Sequence, residues 1–170
     1  MASLHYFAYG SNLCTQRLRF RVPSCRFLTT AKLPGHQLRF HKSGRDGSAK
    51  CDAFCTDVPG DVVWGAVFEI PVSEKPRLDR AEGLGLGYNA KDATLALPDG
   101  SPLVAMTYVA DAKHVRADLV PFTWYWDFVN RGAAEHRLPA GYVASFIANV
   151  RTLEDPDARR DQLSRAEVKP

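Results

Sequence analysis

Apolar and polar residues alternate with a period of two over residues 4–9, which predicts a first β-strand. A helical pattern follows at 13–21, with Ser11 or Asn12 placed to cap it and Pro23 beyond its end. Strand-like segments come next at 25–33, 36–41, 49–57 and 62–70, separated by Gly, Pro and Asp. The run Lys42-Ser43-Gly44-Arg45-Asp46-Gly47-Ser48 between two of them has the composition of a mobile loop. Ser73 is placed to cap a second helix, with Pro76 in its first turn and Gly83 as its stop. Segments 92–97 and 103–110, joined around Pro98-Asp99-Gly100-Ser101, predict a hairpin. Helical patterns close the chain at 123–135 and 140–152.

Strands come first and helices last, without steady alternation and without repeats, so the expected class is α+β rather than a doubly wound sheet. One domain is expected over residues 1–154. A charged C-terminal tail without aromatics occupies 155–170, as a loosely docked helix or a frayed end. At 170 residues and 45% hydrophobic, the chain can bury a core without help from metals or disulfides.

The formal charge of +3 is small and spread out, apart from Arg17-Leu18-Arg19-Phe20-Arg21 and Arg159-Arg160, so no nucleic-acid partner is expected. No apolar run approaches the roughly 18 residues of a membrane span. The first residues also lack a basic leader, so the expectation is a cytoplasmic protein with no membrane partner. The spacing of Cys51 and Cys55 matches neither a redox pair nor a zinc knuckle. With Cys14 and Cys25 they are expected to be reduced, half-buried packing residues. His5, His36, His41, His114 and His136 are scattered without metal spacing, and no metal site is expected.

Two features carry candidate chemistry. A strand that runs into Gly10-Ser11-Asn12 and then a helix leaves main-chain N–H groups pointing outward at the positive end of a helix dipole, a place for a carboxylate or a developing oxyanion. The junction is too short for a phosphate loop and lacks the context of a serine nucleophile; a plain capped turn is the alternative. The second feature is Leu78-Asp79-Arg80-Ala81-Glu82-Gly83-Leu84-Gly85-Leu86-Gly87-Tyr88. Its glycines follow a helix, so they are no dinucleotide fingerprint. Glu82 falls at the negative end of that helix, where charge is disfavoured, which suits a group that must take and give a proton; a solvated helix end is the alternative.

Taken in order, Tyr6-Phe7-Ala8-Tyr9-Gly10-Ser11-Asn12-Leu13, Val63-Trp64-Gly65-Ala66-Val67, Leu78-Asp79-x-x-Glu82-Gly83 and Gly87-Tyr88 resemble the γ-glutamylcyclotransferase (AIG2-like) family. The likeness extends through Gly132 and Leu138-Pro139, over about residues 4–150. It implies a mixed β-barrel with flanking helices and a site at the barrel mouth. The implied reaction releases 5-oxoproline from a γ-glutamyl amino acid or peptide by attack of the substrate's α-amine on its own γ-carbonyl, with no cofactor.

In that likeness Glu82 is the catalytic acid/base and Tyr9, Gly10, Ser11 and Asn12 hold substrate. Tyr88 and Tyr125 are further candidates for substrate contact, each placed to present a hydroxyl from an apolar wall; the likeness puts a substrate-contacting Tyr at the position of Tyr125, although the aromatic run 122–128 also reads as a core stripe. The sequence Asn89-Ala90-Lys91 departs from the aromatic or basic residue many relatives carry there, on the leaving-group side. The expected partner is a small γ-glutamyl substrate, and a homodimer is left open. A cyclotransferase acting on γ-glutamyl amines or a biosynthetic γ-glutamyl cap, and a non-catalytic binding module, stay open beside the main reading.

Overall fold

The computed structural model describes residues 2–167. Along the chain run β1 (Ser3–Ala8), α1 (Thr15–Arg21), β2 (Arg26–Pro34), β3 (His36–Ser43), β4 (Ala49–Cys55), β5 (Val62–Pro71) and α2 (Lys75–Glu82). Then come β6 (Tyr88–Ala96), β7 (Pro102–Ala110), α3 (Thr123–Glu135), α4 (Ala140–Val143) and α5 (Ala158–Ala166). The ring order is β1-β5-β2-β6-β7, antiparallel at each seam but the last. There β1 meets β7 in parallel at Tyr6 and Met106 and closes the barrel, which leaves the ring no free edge. The expected α+β class, a mixed barrel flanked by helices, is what forms.

The end of β1 and the middles of β5 and β7 are covered on both sides, so consecutive residues there are buried, whereas β2 and β6 keep much of their length exposed. Phe7, Phe68 and Ile70 from the strands and Leu18, Leu78 and Val129 from the helices are fully buried in one cluster. The hairpin of β3 and β4 stands apart from the ring, tied to it where the Ala110 N–H donates to Asp52 Oδ1 at 2.8 Å.

Several local expectations need correction. The 42–48 segment has more structure than its loop composition predicts: β3 continues through Ser43, and Asp46 accepts from the Ser48 N–H and hydroxyl at 3.0 Å and from Lys50 at 2.7 Å. Ser73 caps nothing, because a 3-10 turn over Val72–Glu74 precedes α2 and puts Glu74 at its N-cap. The helix expected at 140–152 is α4 followed by a π-helical turn over Ala144–Ala148, ended where Asn149 Nδ2 donates to the Ala144 carbonyl at 3.1 Å. Cys14, Cys25 and Cys51 are buried, whereas Cys55, at the uncovered end of β4, is exposed; all four are free thiols.

In the tail, α5 docks through charged groups. Arg165 reaches Asp127 at 2.5 Å, and Asp155 takes Arg160 at 2.5 Å and the Trp124 indole N–H at 3.0 Å. Residues 168–170 of the expected tail, like residue 1, lie outside the described residues. Among the described residues no helix is long and apolar enough to cross a membrane.

Candidate active site

After Tyr9 the chain leaves β1 and tightens into a 3-10 turn over Ser11–Leu13 before α1 begins. Neither Ser11 nor Asn12 caps that helix. The end of α3 does so from across the fold: Glu135 Oε2 accepts from the Thr15 N–H at 3.2 Å, and His136 Nε2 donates to the Leu13 carbonyl at 2.9 Å. Gly132 makes this approach possible, since a Cβ there would stand 2.3 Å from the Leu13 carbonyl carbon and 2.4 Å from the Cys14 nitrogen. The side chains of Ser11 and Asn12 are thereby free for other work.

Asn12 turns toward α2. Its Nδ2 donates to Glu82 Oε1 and to the Tyr6 hydroxyl, both at 2.9 Å. Arg21, the last residue of α1, donates through Nη1 to Asn12 Oδ1 at 2.9 Å and to Glu82 Oε1 at 2.6 Å. The guanidinium thus opposes the negative helix end at which Glu82 sits. Glu82 is 16% exposed, and its Oε2 has no hydrogen-bond partner among the described residues. Gly83 ends α2 with a φ of 69°, and the N–H groups of Gly83 and Leu84 close its last turn on Arg80 and Asp79.

The N–H groups of Gly10, Ser11 and Asn12 donate to no acceptor among the described residues and remain as donors at the turn. Gly10 itself is needed for packing: a Cβ there would meet Cys51 Cβ at 3.0 Å and the Tyr125 hydroxyl at 3.2 Å. The space beside Gly10 is filled by β4 and α3.

Three buried tyrosines complete the wall. Tyr9 donates to the Tyr108 carbonyl and Tyr88 to the Cys51 carbonyl, each at 2.5 Å, while Tyr125 accepts from the Cys51 N–H at 2.9 Å. Burial pushes the pKa of each hydroxyl well above the ordinary tyrosine value, so all three are neutral. Tyr125 therefore keeps its proton to donate, and Tyr9 and Tyr88 offer lone pairs.

All seven residues expected from sequence, Tyr9, Gly10, Ser11, Asn12, Glu82, Tyr88 and Tyr125, line one recess. Its volume of about 20 Å³ holds a group the size of one water, well short of a whole curled glutamate. Ser11, Glu82, Tyr88 and Tyr125 also border an outer cleft of about 440 Å³, which is large enough for a small peptide.

Sequence reasoning missed Tyr6, Tyr108, Arg17 and Arg21. Tyr108 donates to Asp79 at 2.6 Å and steadies α2. Arg17 is almost fully buried, 4.4 Å over the Phe128 ring, and donates to Ser11 Oγ at 3.3 Å and to Glu167 at 2.5 Å. Burial brings its pKa down to about 10, so it stays charged near neutrality. The signal for the arginines was there: Arg17 and Arg21 are four apart on the helix that follows the Gly-Ser-Asn turn, hence on one face.

Residues 62–146 match the model of the AIG2-like family. Human γ-glutamylcyclotransferase is 33% identical over 144 residues, covering 82% of this chain and 75% of that protein. Among solved structures, one of a γ-glutamyl cyclotransferase superposes with a TM-score of 0.82 at 26% identity, covering 97% of this chain and 99% of that one. A crystal structure of an uncharacterized human protein superposes with a TM-score of 0.79 at 30% identity, covering 90% of each chain. With the barrel, the Gly-Ser-Asn turn and Glu82 placed as they are, these likenesses show that the chain belongs to the γ-glutamylcyclotransferase, AIG2-like family.

Proposed function

We propose that the protein is a cytoplasmic γ-glutamylcyclotransferase that releases 5-oxoproline and a free amino acid from γ-glutamyl amino acids or peptides, with Glu82 as its acid/base. The observation that carries this reading is the unequal treatment of the Glu82 oxygens. Oε1 is fixed by Asn12 and Arg21, whereas Oε2 has no hydrogen-bond partner among the described residues, and Glu82 lines the same recess as Gly10, Ser11 and Asn12, whose amides are likewise unpaired.

A carboxyl group aimed by one oxygen can exchange a proton through the other. Glu82 takes a proton from the substrate's α-ammonium, and the freed amine attacks the γ-carbonyl carbon. The turn amides and the Tyr125 hydroxyl receive the oxygen on which negative charge develops. The new C–N bond closes a five-membered ring, Glu82 gives the first proton to the departing nitrogen, the old amide C–N bond breaks, and Glu82, again a carboxylate, relays the second proton from the ring nitrogen to the released amine. Two protons leave the α-nitrogen and two reach the leaving amine, so no net proton, water or electron is consumed.

Because the nucleophile belongs to the substrate, the chemistry calls for no cofactor. The main contribution of the protein is to hold the chain bent, an orientational gain that can reach roughly 7–11 kcal/mol in well-aligned intramolecular reactions. The recess fits one oxygen-bearing group of the substrate, and the rest of the molecule lies in the outer cleft.

The test is Glu82→Gln, which keeps the shape of the side chain and its bonding to Arg21. Release of 5-oxoproline from γ-glutamyl-alanine should fall by about 10²–10⁴-fold with the melting temperature little changed. Full turnover in this variant overturns the assignment.

A further inference from the structure

The outer cleft is far more basic than the ring-closing reaction requires. Of its lining cations, Arg17 and Arg21 are paired with Glu167 and Glu82, Lys50 with Asp46, and Arg160 with Asp155. Its lining carboxylates, Asp46 and Glu82, are used in those pairs. Three cations are left over: Lys42, Arg45 and Arg80 have no carboxylate partner and no hydrogen-bond acceptor among the described residues.

Lys42 is the most telling. A β-bulge between Phe40 and Lys42 breaks the alternation of β3, so that consecutive side chains both turn to covered positions. His41 bonds Asp52 at 2.8 Å. Lys42 is 7% exposed, with its ammonium 4.6 Å over the ring of Tyr88 at the cleft wall. Gly87 leaves room for it, because a Cβ there would lie 2.8 Å from both Lys42 Cε and Nζ. Burial lowers the Lys42 pKa, with Glu82 opposing. Arg45 lies close by: its Nη2 stands 4.0 Å from where a Gly83 Cβ would be, next to Glu82. Arg80 is in the last turn of α2. The Gly-rich turn after Glu82 thus accommodates two cations against its backbone.

An ammonium on a mostly covered side chain, with no ion pair or hydrogen bond of its own, is poorly compensated, and a ligand that brings a carboxylate supplies the missing partner. We propose that Lys42, Arg45 and Arg80 form a leaving-group subsite selective for an acidic amino acid, with Lys42 taking its α-carboxylate and the two arginines its side-chain carboxylate. This rests on the cyclotransferase reading and narrows it to donors of the γ-glutamyl-glutamate type.

The test compares γ-glutamyl-glutamate with γ-glutamyl-glutamine, which share a shape and differ by one charge. The expected kcat/KM for 5-oxoproline release favours the acidic donor by about tenfold or more, and the preference shrinks as ionic strength rises. Combining Arg45→Gln with Arg80→Gln should bring the ratio toward one, mainly through a higher KM for the acidic donor. Lys42→Met should raise KM for both donors, with partial rescue by Lys42→Arg. A wild-type ratio near one, or a preference that survives the double arginine variant, overturns the subsite. If neither donor yields 5-oxoproline, the catalytic reading falls separately. Calorimetry with the same two compounds then decides: tighter binding of γ-glutamyl-glutamate upholds the subsite, and equal affinity overturns it.

Discussion

Arg21 Nη1 lies 2.6 Å from Glu82 Oε1, an ion pair between the last residue of α1 and the last residue of α2. Both positions are helix C-termini, and the charges placed there are opposite. A cation at a helix C-terminus is favoured by the dipole and a carboxylate there is not, so the favoured partner secures the disfavoured one. Both side chains are largely covered, at 13% and 16% exposed, so little solvent screening weakens the pair. Asn12, bonded to both, fixes the angle at which they meet.

Removing the clamp should therefore misdirect the carboxyl group more than it weakens substrate binding. Arg21→Met is expected to lower kcat by about 10–100-fold with a smaller change in KM, and Arg21→Lys to recover part of the loss. The double variant with Glu82→Gln should be no worse than Glu82→Gln alone, because Arg21 acts on the reaction through Glu82. Steady-state kinetics on the four proteins check this. Full kcat in Arg21→Met would show that Glu82 needs no aiming.

Gly132 offers a separate test of how the turn is held. An exposed helical Gly→Ala change ordinarily stabilises a helix by about 0.8–1 kcal/mol. Here the new Cβ would stand 2.3 Å from the Leu13 carbonyl carbon, so α3 must back away or the turn must move. Gly132→Ala is expected to destabilise the protein by about 1–3 kcal/mol, read as a lower melting temperature, and to reduce kcat as Asn12 shifts. A stabilised variant would mean that α3 and the turn are less tightly joined than the distances imply.

The barrel strands and the two long-range site features could be read from the sequence because each rests on a local rule: period two for β1, and a glycine stop after Glu82. What escaped depended on distant partners. Asn12 is as good an N-cap as any residue by local chemistry, and nothing nearby in sequence reveals that Glu135 and His136 take over the start of α1. The bulge that turns Lys42 inward leaves no mark in a stretch rich in Gly, Ser and charge, which reads as a loop. Tyr6 and Tyr108 were hidden for another reason: in strands covered on both faces, alternation does not tell recess-lining residues from core.

The cysteines differ enough in cover for a direct chemical count. Cys14, Cys25 and Cys51 are buried, and burial pushes Cys25 up to about 11 and Cys51 up to about 12, which leaves little reactive thiolate near neutrality. Cys55 alone is exposed, its thiol donating to Asp57 at 3.2 Å. Ellman's reagent should titrate one thiol quickly in the native chain and all four after denaturation. Rapid reaction of a second thiol in the native state would place Cys25 closer to solvent than the fold implies.

Lys50 gives the fold a pH dependence of known sign. Its side chain is 14% exposed, with the ammonium 2.7 Å from Asp46 and 4.7 Å over the Tyr125 ring. Burial brings its pKa down from 10.5 to about 8, with Asp46 opposing. Between those values the unfolded chain binds more protons than the folded one, so stability rises with pH across the window. The contribution is fully present above 10.5 and is lost as pH falls through about 8. Cys25 and Cys51 act oppositely, because their raised values keep protons on the folded state and cost stability as pH climbs past the ordinary thiol value. The difference between wild type and Lys50→Met removes the Cys25 contribution and leaves of the Cys51 contribution only the part that the Lys50 charge itself causes, and Asp46 stays ionised throughout. Urea unfolding of both proteins between about pH 7 and pH 10.5 should show the gap moving in favour of wild type by about 1–3 kcal/mol. A gap that stays flat over this range would mean that Lys50 titrates alike in the folded and unfolded chain, and that the cleft wall around it is wetter than its packing against Trp124 and Tyr125 implies.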